Sequence, residues 1–501
     1  MPIFSPSLLY KSNLLMKYLI KRYDNASKVF GNMDSHPWIP NSTREIREKM
    51  LEKIGVKNID EFFNDIPRNI RISKEEWDNL EIGLKKPISE ITARRIIEEK
   101  LSMNKVFVPL LFLGGGAYPH YVPSVIKYLI SRGEFLTSYT PYQPEISQGI
   151  LQALFEYQSL MAELLDMDVV NSSMYDWASA LAEALLMSLR VKKNKKKILL
   201  PSNMNPIHKR VVNTYLSPHN VRIEYVNYNH DTGLIDLEDL KNKIDNDTAA
   251  VYVQSPNFFG YIEENAKEIG EIVHDIDSLF IMGIDPISLG LIKPPGELGA
   301  DIAVGEGQPL GLGLNYGGPY LGIFATRMDM KLVRQMPGRI IGLTRSVDGS
   351  RAFTMILQTR EQHIRRAKAT SNICTNEALS AIAAAIYLAL LGKSGIRKLA
   401  ELIYYRSHYA QARLREIGLN TDIFKSDFFK EFPINFDNIG VKYRYVHEKL
   451  LENNIHGGLY IGNWFPELGE TALYAFTEIH TKNDIDLLVE KLADIINELK
   501  R

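Results

Sequence analysis

The sequence predicts an α/β fold, with a large domain built on a mostly parallel β-sheet and a smaller α+β domain at the C-terminal end. Between about residues 170 and 323, apolar strand-like segments alternate with amphipathic helical segments. This alternation is typical of a parallel sheet covered by helices on both faces. Near the C-terminus, short strands and helices alternate instead, which favours a small α+β domain. The length of 501 residues accommodates both.

The predicted strands and domain boundaries follow from this pattern. The segments that read as strands are KKILLP, RIEYVNY, AAVYVQSP, SLFIMGID and ADIAVG. The predicted regions are an N-terminal extension (1–37, expected to be poorly ordered), an N-terminal helical arm (38–105), a large α/β domain (106–375), and a linking helix with a small C-terminal domain (376–501).

The N-terminal extension is basic over its first 32 residues, with five lysines and arginines against the single acid Asp24. A basic, acid-poor leader is either a targeting segment or an extension of no consequence for the fold. The second interpretation is favoured, because no small-residue cleavage site follows the apolar part.

Composition excludes some classes of partner. Lysine and arginine total 59 against 60 acidic residues, so there is no electrostatic reason to expect binding to nucleic acid or to a membrane. Cys374 is the single cysteine and cannot form an intramolecular disulfide, which fits a cytoplasmic protein. The longest apolar run, Ala381–Leu391, is shorter than the roughly 20 residues of a membrane span. It ends at Gly392 and is predicted to be a core helix. No metal site is predicted.

Helical periodicity begins in the arm. Ser42 and Thr43 precede a segment whose apolar residues share one face, and Gly55 ends it. Such an arm packs across a neighbouring subunit or domain, or is a simple surface helix. The next feature, Gly114–Gly116, is interpreted as a loop that needs positive φ angles rather than as a phosphate-binding loop.

Two later segments carry candidate binding groups. Tyr139, Tyr142 and Gln143 lie in a loop stiffened by prolines, with Glu145 close behind. The loop either presents a site or forms a rigid corner, and its polar donors favour the former. The arginine-rich segment 337–376 either binds anions or forms an ion-pair network, and His363 within it reads as a structural histidine.

The stretch from Asp301 to Gly322 has the layout of a cofactor-lysine site that lacks its lysine. A strand leads into a turn, Gln308 stands at the strand exit, and four glycines follow. Pyridoxal phosphate needs a lysine amine for its Schiff base, which an amide nitrogen cannot replace. Asp285, at the end of another predicted strand, is either a ligand-facing group or a turn aspartate before Pro286.

Several long motifs together resemble one family, the P-proteins of the glycine cleavage system, and within it the first subunit of the two-subunit form. The motifs are Trp38–Asn41, Tyr139–Gly149, Ser173–Asp176 with Ala182–Ala184, Asp285–Gly290, Gly305–Gln308, Gln358–Arg366 and Ala369–Thr375. The resemblance covers the chain from about residue 38 to its end.

The resemblance implies a fold-type I pyridoxal-phosphate architecture and a shared activity. Glycine is decarboxylated through pyridoxal phosphate, and its aminomethyl group passes to the lipoyl arm (lipoamide) of the H-protein. A homologous partner, subunit 2, carries the lysine and the pyridoxal phosphate, with two of each subunit expected. This chain is then inactive alone and binds no cofactor, because Gln308 occupies the lysine position. The alternative is a structural or regulatory scaffold for the catalytic homologue.

The resemblance also suggests where functional residues lie. No catalytic residue is expected in this chain. The shared-site or interface candidates are Tyr139, Tyr142, Gln143, Glu145, Arg360, His363 and Arg365. The vestigial cofactor pocket comprises Asp176, Trp177, Asp285 and Gln308. Trp177 stands where the family has glycine, and we expect its indole to crowd a phosphate away from the start of the following helix.

Overall fold

A computed structural model describes residues 39–83, 88–318 and 320–499 of the chain. The predicted N-terminal extension, residues 1–37, lies outside the described residues. The described chain divides after Val106 into two compact units, and each is described by itself.

The first unit is helical in its described residues, 39–83 and 88–106, and none of these residues is buried. Its helices are α1 (Arg44–Ile54), a 3₁₀ turn (Ile59–Asp65), α2 (Lys74–Asn79) and α3 (Glu90–Leu101). Gly55 ends α1 with φ of +88°, as predicted. None of these elements contains a buried residue. The apolar side chains on the predicted face of α1, Ile46, Met50 and Ile54, are 38–55% exposed.

The second unit is built on a seven-stranded sheet. Its strands are β1 (Val169–Val170), β2 (Lys197–Pro201), β3 (Arg222–Val226), β4 (Thr248–Ser255), β5 (Leu279–Ile284), β6 (Ile302–Glu306) and β7 (Gly322–Thr326). Their order is β1-β7-β6-β5-β4-β2-β3. The pairings from β6 through to β3 are parallel, whereas β7 and β1 add antiparallel pairings at one edge. The five predicted strands are therefore confirmed, and the antiparallel edge was not predicted.

Helices cover both faces of this sheet. The helices before and between its strands are α4 (Ser124–Ile130), α5 (Gly133–Leu136), α6 (Gln148–Leu165), α7 (Trp177–Val191), α8 (Pro206–Leu216), α9 (Leu237–Lys243) and α10 (Ala266–Asp275), and α11 (Met330–Val333) follows β7. Side chains of α7 pack with Tyr252, Ile281 and Val304 on one face. Because strand side chains alternate between faces, Val253 and Met282 point the other way and pack with α10.

A hairpin and a long helix follow the sheet. The hairpin comprises β8 (Ile340–Arg345) and β9 (Arg351–Ile356), and the short helix α12 (Gln362–Arg365) comes next. The long helix α13 (Ala378–Glu416) is interrupted at Gly392, whose φ of 59° and ψ of −176° are non-helical. The apolar helix thus breaks at the predicted residue. By length and composition α13 could also cross a membrane, but half of its most apolar window is buried inside the chain, which is ordinary for a core helix.

The C-terminal part forms a small antiparallel sheet that packs on the first. Its elements are β10 (Glu431–Asn435), α14 (Tyr443–Glu452), β11 (Leu459–Tyr460), β12 (Thr471–Ala475) and α15 (Lys482–Leu499). An aromatic core joins this sheet to Phe112 and to Phe258 and Phe259, which follow β4. The first residues of β10 are consequently held close to the ends of the parallel strands.

Candidate functional site

Gln308, two residues beyond β6, is fully buried and hydrogen-bonded through its whole side-chain amide. Its Nε2 donates to the backbone carbonyls of Tyr118 (3.1 Å) and Leu312 (2.8 Å), and its Oε1 accepts from the N–H of Tyr118 (3.2 Å). Each N–H of the amide is therefore engaged. Gln308, at the predicted lysine position, therefore holds the backbone of Tyr118 in place through hydrogen bonds.

Asp285 directly follows β5, and its carboxylate pairs with the ammonium of Lys430. Both side chains are buried, and Asp285 Oδ1 also accepts from the N–H of Ile287 (3.0 Å). Asp285 is thus both a turn aspartate and a group facing the pocket. Lys430 Nζ lies 3.5 Å from the ring centre of Tyr118, a favourable cation–π contact.

Lys430 immediately precedes β10 and is far from Gln308 along the chain, so sequence position gives no sign that it lies in this pocket. In pyridoxal-phosphate sites a carboxylate pairs with the ring nitrogen, whereas the lysine reacts with the aldehyde. If Asp285 were the carboxylate that pairs with a ring nitrogen, the ammonium of Lys430 would already occupy that partner position. On this basis Lys430 would exclude the ring of pyridoxal phosphate and would not replace the missing Schiff-base lysine.

Tyr118 and Glu431 link the start of β10 to the triple glycine. The hydroxyl of Tyr118 donates to Glu431 Oε1, and the N–H of Gly115 donates to Oε2 (2.9 Å). Burial raises the pKa of Glu431 to about 7. A Cβ on Gly114 would collide with Glu431 Oε2, so a side chain there would displace the Glu431 carboxyl. The triple glycine permits this close approach, and the positive φ predicted for it is confirmed at Gly115 and Gly116.

Carboxylates of the chain itself occupy the backbone donors at the start of α7. Asp176 caps the helix, with Oδ1 accepting from the N–H of Ser179 (2.7 Å). The N–H of Trp177 donates to Glu306 Oε2 (3.2 Å). Burial raises the pKa of Glu306 to about 8, against the opposing effect of the backbone N–H groups that it accepts from.

The indole of Trp177 covers the sheet beside Asp285. It is 7% exposed, and a Cβ on Gly283 would lie 2.9 Å from it. Asp285 comes just after the end of β5, two positions beyond Gly283, and it lines the same cavity as Trp177. The opposite edge of the indole meets His208, with ring centres 5.2 Å apart.

These residues do not fit pyridoxal phosphate. The cavity that they enclose has a volume of about 20 Å³, and one water molecule needs about 10–15 Å³ by the same measure. The side chains of Trp177 and Lys430 fill the space over β5. The carboxyl of Glu306 already accepts from the backbone N–H at the start of α7. The amide of Gln308 cannot supply the amine that the Schiff base requires. The pocket retains the frame of a cofactor site but is filled by its own side chains.

The predicted loop and the arginine-rich segment come together elsewhere on the chain. Tyr139, 71% exposed, bonds through its hydroxyl to Thr375 Oγ1 (2.8 Å). The ring of Tyr142 packs edge-on against His363, with centres 5.2 Å apart. The Tyr142 hydroxyl accepts from Arg339 (3.3 Å). The two motifs therefore form one surface, here called the tyrosine surface, comprising Tyr139, Tyr142, His363 and Thr375.

Buried Arg339 supports this surface from below. Its guanidinium contacts Glu361 Oε2 (3.4 Å) and Asn376 Oδ1 (3.3 Å) as well as Tyr142. Asn376 in turn donates to Ser172 Oγ (2.8 Å). The arginine-rich segment was predicted either to bind anions or to form an ion-pair network. Around Arg339 it forms ion pairs, because Glu361 contacts both Arg339 and His363.

The remaining candidates differ in placement. Gln143, Glu145 and Arg365 are exposed. Arg360 is 6% exposed and donates to the backbone carbonyls of Leu357, Met336 and Gly338. Burial lowers the pKa of Arg360 to about 10. The guanidinium of Arg360 stabilises the backbone around Met336 and Gly338. It is buried, unlike the other shared-site candidates, which are exposed.

Sequence reasoning missed several pocket residues, although weak signals existed for some. Glu306 is an acid between two glycines at the exit of a buried strand, and Lys430 and Glu431 are charges directly before or within an apolar strand. Charged residues at the ends of buried strands are costly unless paired, so each required a partner. Nothing in the sequence identified Asp285 or Tyr118 as that partner.

Comparisons with known proteins show which family the chain resembles in sequence and in fold. The family model described as glycine cleavage system P-protein matches residues 36–492. A probable glycine dehydrogenase (decarboxylating) subunit 1 from Aeropyrum pernix is 53% identical over 466 residues, which is 92% of this chain and 99% of that protein. The crystal structure of an inhibitor-bound glycine decarboxylase (P-protein) of the glycine cleavage system superposes with a TM-score of 0.80 at 37% identity, over 92% of this chain and 100% of that one. A sphingosine-1-phosphate lyase from Burkholderia pseudomallei, 12% identical with a TM-score of 0.61 over 83% of this chain and 92% of that one, shares the fold alone. The predicted fold-type I class is confirmed.

Proposed function

The chain belongs to the glycine cleavage system P-protein family, and on this premise we propose that it is the subunit without the Schiff-base lysine in a two-subunit glycine dehydrogenase (decarboxylating). The observation that carries the proposal is Gln308. Its buried amide stands at the exit of β6 where the lysine is required, and it is bonded throughout to the backbone.

The proposed reaction belongs to the assembled cytoplasmic enzyme, with two of each subunit. Pyridoxal phosphate, held by the homologous partner, acts as the electron sink for loss of CO₂ from glycine. The remaining aminomethyl group passes to the lipoyl arm of the H-protein. This chain contributes surface groups that complete the partner's site and hold the lipoyl arm.

The tyrosine surface supports a shared site. Tyr139 and Tyr142 are 71% and 42% exposed, and the side chain of His363 is 38% exposed. Buried Arg339 holds Tyr142 through a hydrogen bond to its hydroxyl. Such aromatic groups bury large area at little conformational cost when a partner covers them. The arrangement is suited to contact with a second chain.

The helical arm also supports a partner. Large apolar side chains in the described residues 39–83 and 88–106 are exposed, among them Ile70 (71%), Trp77 (59%) and Ile82 (66%). Exposed apolar surface on this scale marks a protein contact. We propose that the arm packs on the partner subunit.

The first test concerns the cofactor. The purified chain mixed with pyridoxal phosphate is expected to show no visible absorbance band of an internal aldimine, while the lysine-bearing partner shows one. Neither subunit alone should release CO₂ from glycine in the presence of H-protein, and the mixture should. An aldimine that borohydride fixes to a lysine of this chain, Lys430 included, would refute the assignment.

The second test separates a shared site from a scaffold. Tyr142→Ala and Gln143→Ala are expected to lower turnover of the assembled enzyme by about 10- to 100-fold, since small displacements of site groups have effects of this size. Size-exclusion chromatography should show an intact complex. Tyr445→Ala, at a half-exposed tyrosine on α14, is the matched control. Unchanged turnover in both site variants would favour the scaffold.

A further inference from the structure

Three backbone N–H groups from separate parts of the chain converge on the carboxylate of Glu306. Gln308 (3.0 Å) and Leu321 (3.1 Å) donate to Oε1, and Trp177, the first residue of α7, donates to Oε2 (3.2 Å). Converging backbone N–H groups at the N-terminus of a 15-residue helix form an anion-binding site. Here the group bound by these donors is a side-chain carboxyl of the same protein.

Other features of the cavity fit an enclosed polar site. Gln254 Oε1 lines the same cavity, is buried, and has no hydrogen-bond partner among the described residues. Lys430 supplies a cation against Asp285. The cavity is therefore lined by the Glu306 carboxyl with its three backbone donors and by the ion pair of Lys430 with Asp285. Gln254 Oε1 is an acceptor in the same cavity that no described donor satisfies.

We propose that Glu306 is an internal ligand of a retained oxyanion site, and that Glu306 and Lys430 together replace the two charged ends of the cofactor for which this fold was built. The carboxyl of Glu306 accepts from the backbone donors at the start of α7, and the ammonium of Lys430 pairs with Asp285. The inference goes beyond the proposed function, because it assigns the converging donors an internal ligand, the Glu306 carboxyl, that a small carboxylate can replace only when this side chain is removed.

The charges of the pocket explain why an external anion does not displace this arrangement. Asp285, Glu306 and Glu431 line the cavity together with Lys430, whose ammonium is already paired with Asp285, so a phosphate would meet acidic groups and a cation that is already paired in a low-dielectric site. Burial is the main cause of the raised pKa values of Glu306 and Glu431, with a smaller contribution from Asp176 for Glu306 and from Asp285 for Glu431. Removal of the Glu306 carboxylate should therefore free the three backbone donors.

The test uses Glu306→Ala in the full chain. This substitution removes Cγ, Cδ and both carboxylate oxygens, the heavy atoms of one acetate ion. Acetate and formate are expected to raise the melting temperature of the variant by several degrees in a saturable manner, compared with chloride at equal ionic strength. The wild type should not respond. Inorganic phosphate should act more weakly, because it is larger than the vacated space.

Glu183→Ala is the matched control. Glu183 is buried on the same helix, but its carboxyl faces Ser371 and Arg190 rather than converging backbone donors. Acetate should leave this variant unchanged. If Glu306→Ala does not fold unaided, the yield of folded protein on refolding with and without acetate becomes the readout. Equal responses to acetate in Glu306→Ala, Glu183→Ala and the wild type would overturn the proposal, whatever the outcome of the activity tests.

Discussion

Lys430→Met is expected to lower the free energy of unfolding by about 3–5 kcal/mol, the usual effect of removing one partner of a buried ion pair. The side chains of Lys430 and Asp285 are 4% and 10% exposed, and their ammonium and carboxylate groups are in direct contact. Methionine retains an unbranched apolar side chain that ends at the Cε position, but it leaves the Asp285 carboxylate buried without its cation. The contact of the ammonium with the ring of Tyr118 is lost as well.

A double variant isolates the cause. Asp285→Asn with Lys430→Met should recover most of the lost stability, because a neutral pair of similar volume often matches a buried ion pair. Urea unfolding of the four proteins gives the coupling energy. Lys425→Met, at a surface lysine that pairs with Asp231, is the control and should change stability by less than about 1 kcal/mol. Additive losses in the double variant would show that the two charges do not depend on each other.

This ion pair also marks the limit of what the sequence predicts. Gly55 and Gly392 were located as helix breaks from local pattern, because a positive φ is a property of one residue and its neighbours. The buried strands β4, β5 and β6 were found because both of their faces are apolar. The contact between Asp285 and Lys430 depends on how β10 packs on the first sheet, which no local pattern encodes.

The candidate site was predicted unevenly for the same reason. Gln308 and Trp177 were identified because one lacks an amine and the other is bulky where the resemblance implies glycine. The role of Glu306 stayed hidden, since its three donors come from the start of α7, the turn after β6 and the residue before β7. Arg360 was grouped with surface candidates by its motif, but its bonds to three carbonyls became visible only in the fold.

Arg339→Leu is expected to reduce turnover of the assembled enzyme by about 100-fold. Arg339 fixes Tyr142 through a hydrogen bond to its hydroxyl and lies 5.6 Å from its ring centre, while binding Glu361 and Asn376 on its other sides. Leucine removes all three polar contacts at once. The loop that carries Tyr139 and Tyr142 then loses its internal support, although neither tyrosine is altered.

Kinetics distinguish positioning from mere stability. If Arg339 orients groups that act in the transition state, the variant should lose kcat at saturating glycine while KM changes little. Arg339→Lys should restore only part of the rate, because an ammonium lacks the planar fork that reaches three acceptors in fixed directions. Arg444→Leu, at an exposed arginine paired with Glu448 on α14, controls for loss of a guanidinium.

The result also decides between the two roles proposed for the chain. A scaffold needs only to fold and to assemble, so an Arg339→Leu variant that forms the complex at a normal melting temperature should then retain full turnover. A shared site requires the tyrosine surface to keep its geometry, because hydrogen-bonding groups displaced by about 1 Å lose most of their effect on a transition state. Lost kcat in a stable, assembled variant would therefore locate part of the partner's catalytic geometry on this chain, outside the pocket that Glu306 and Lys430 fill.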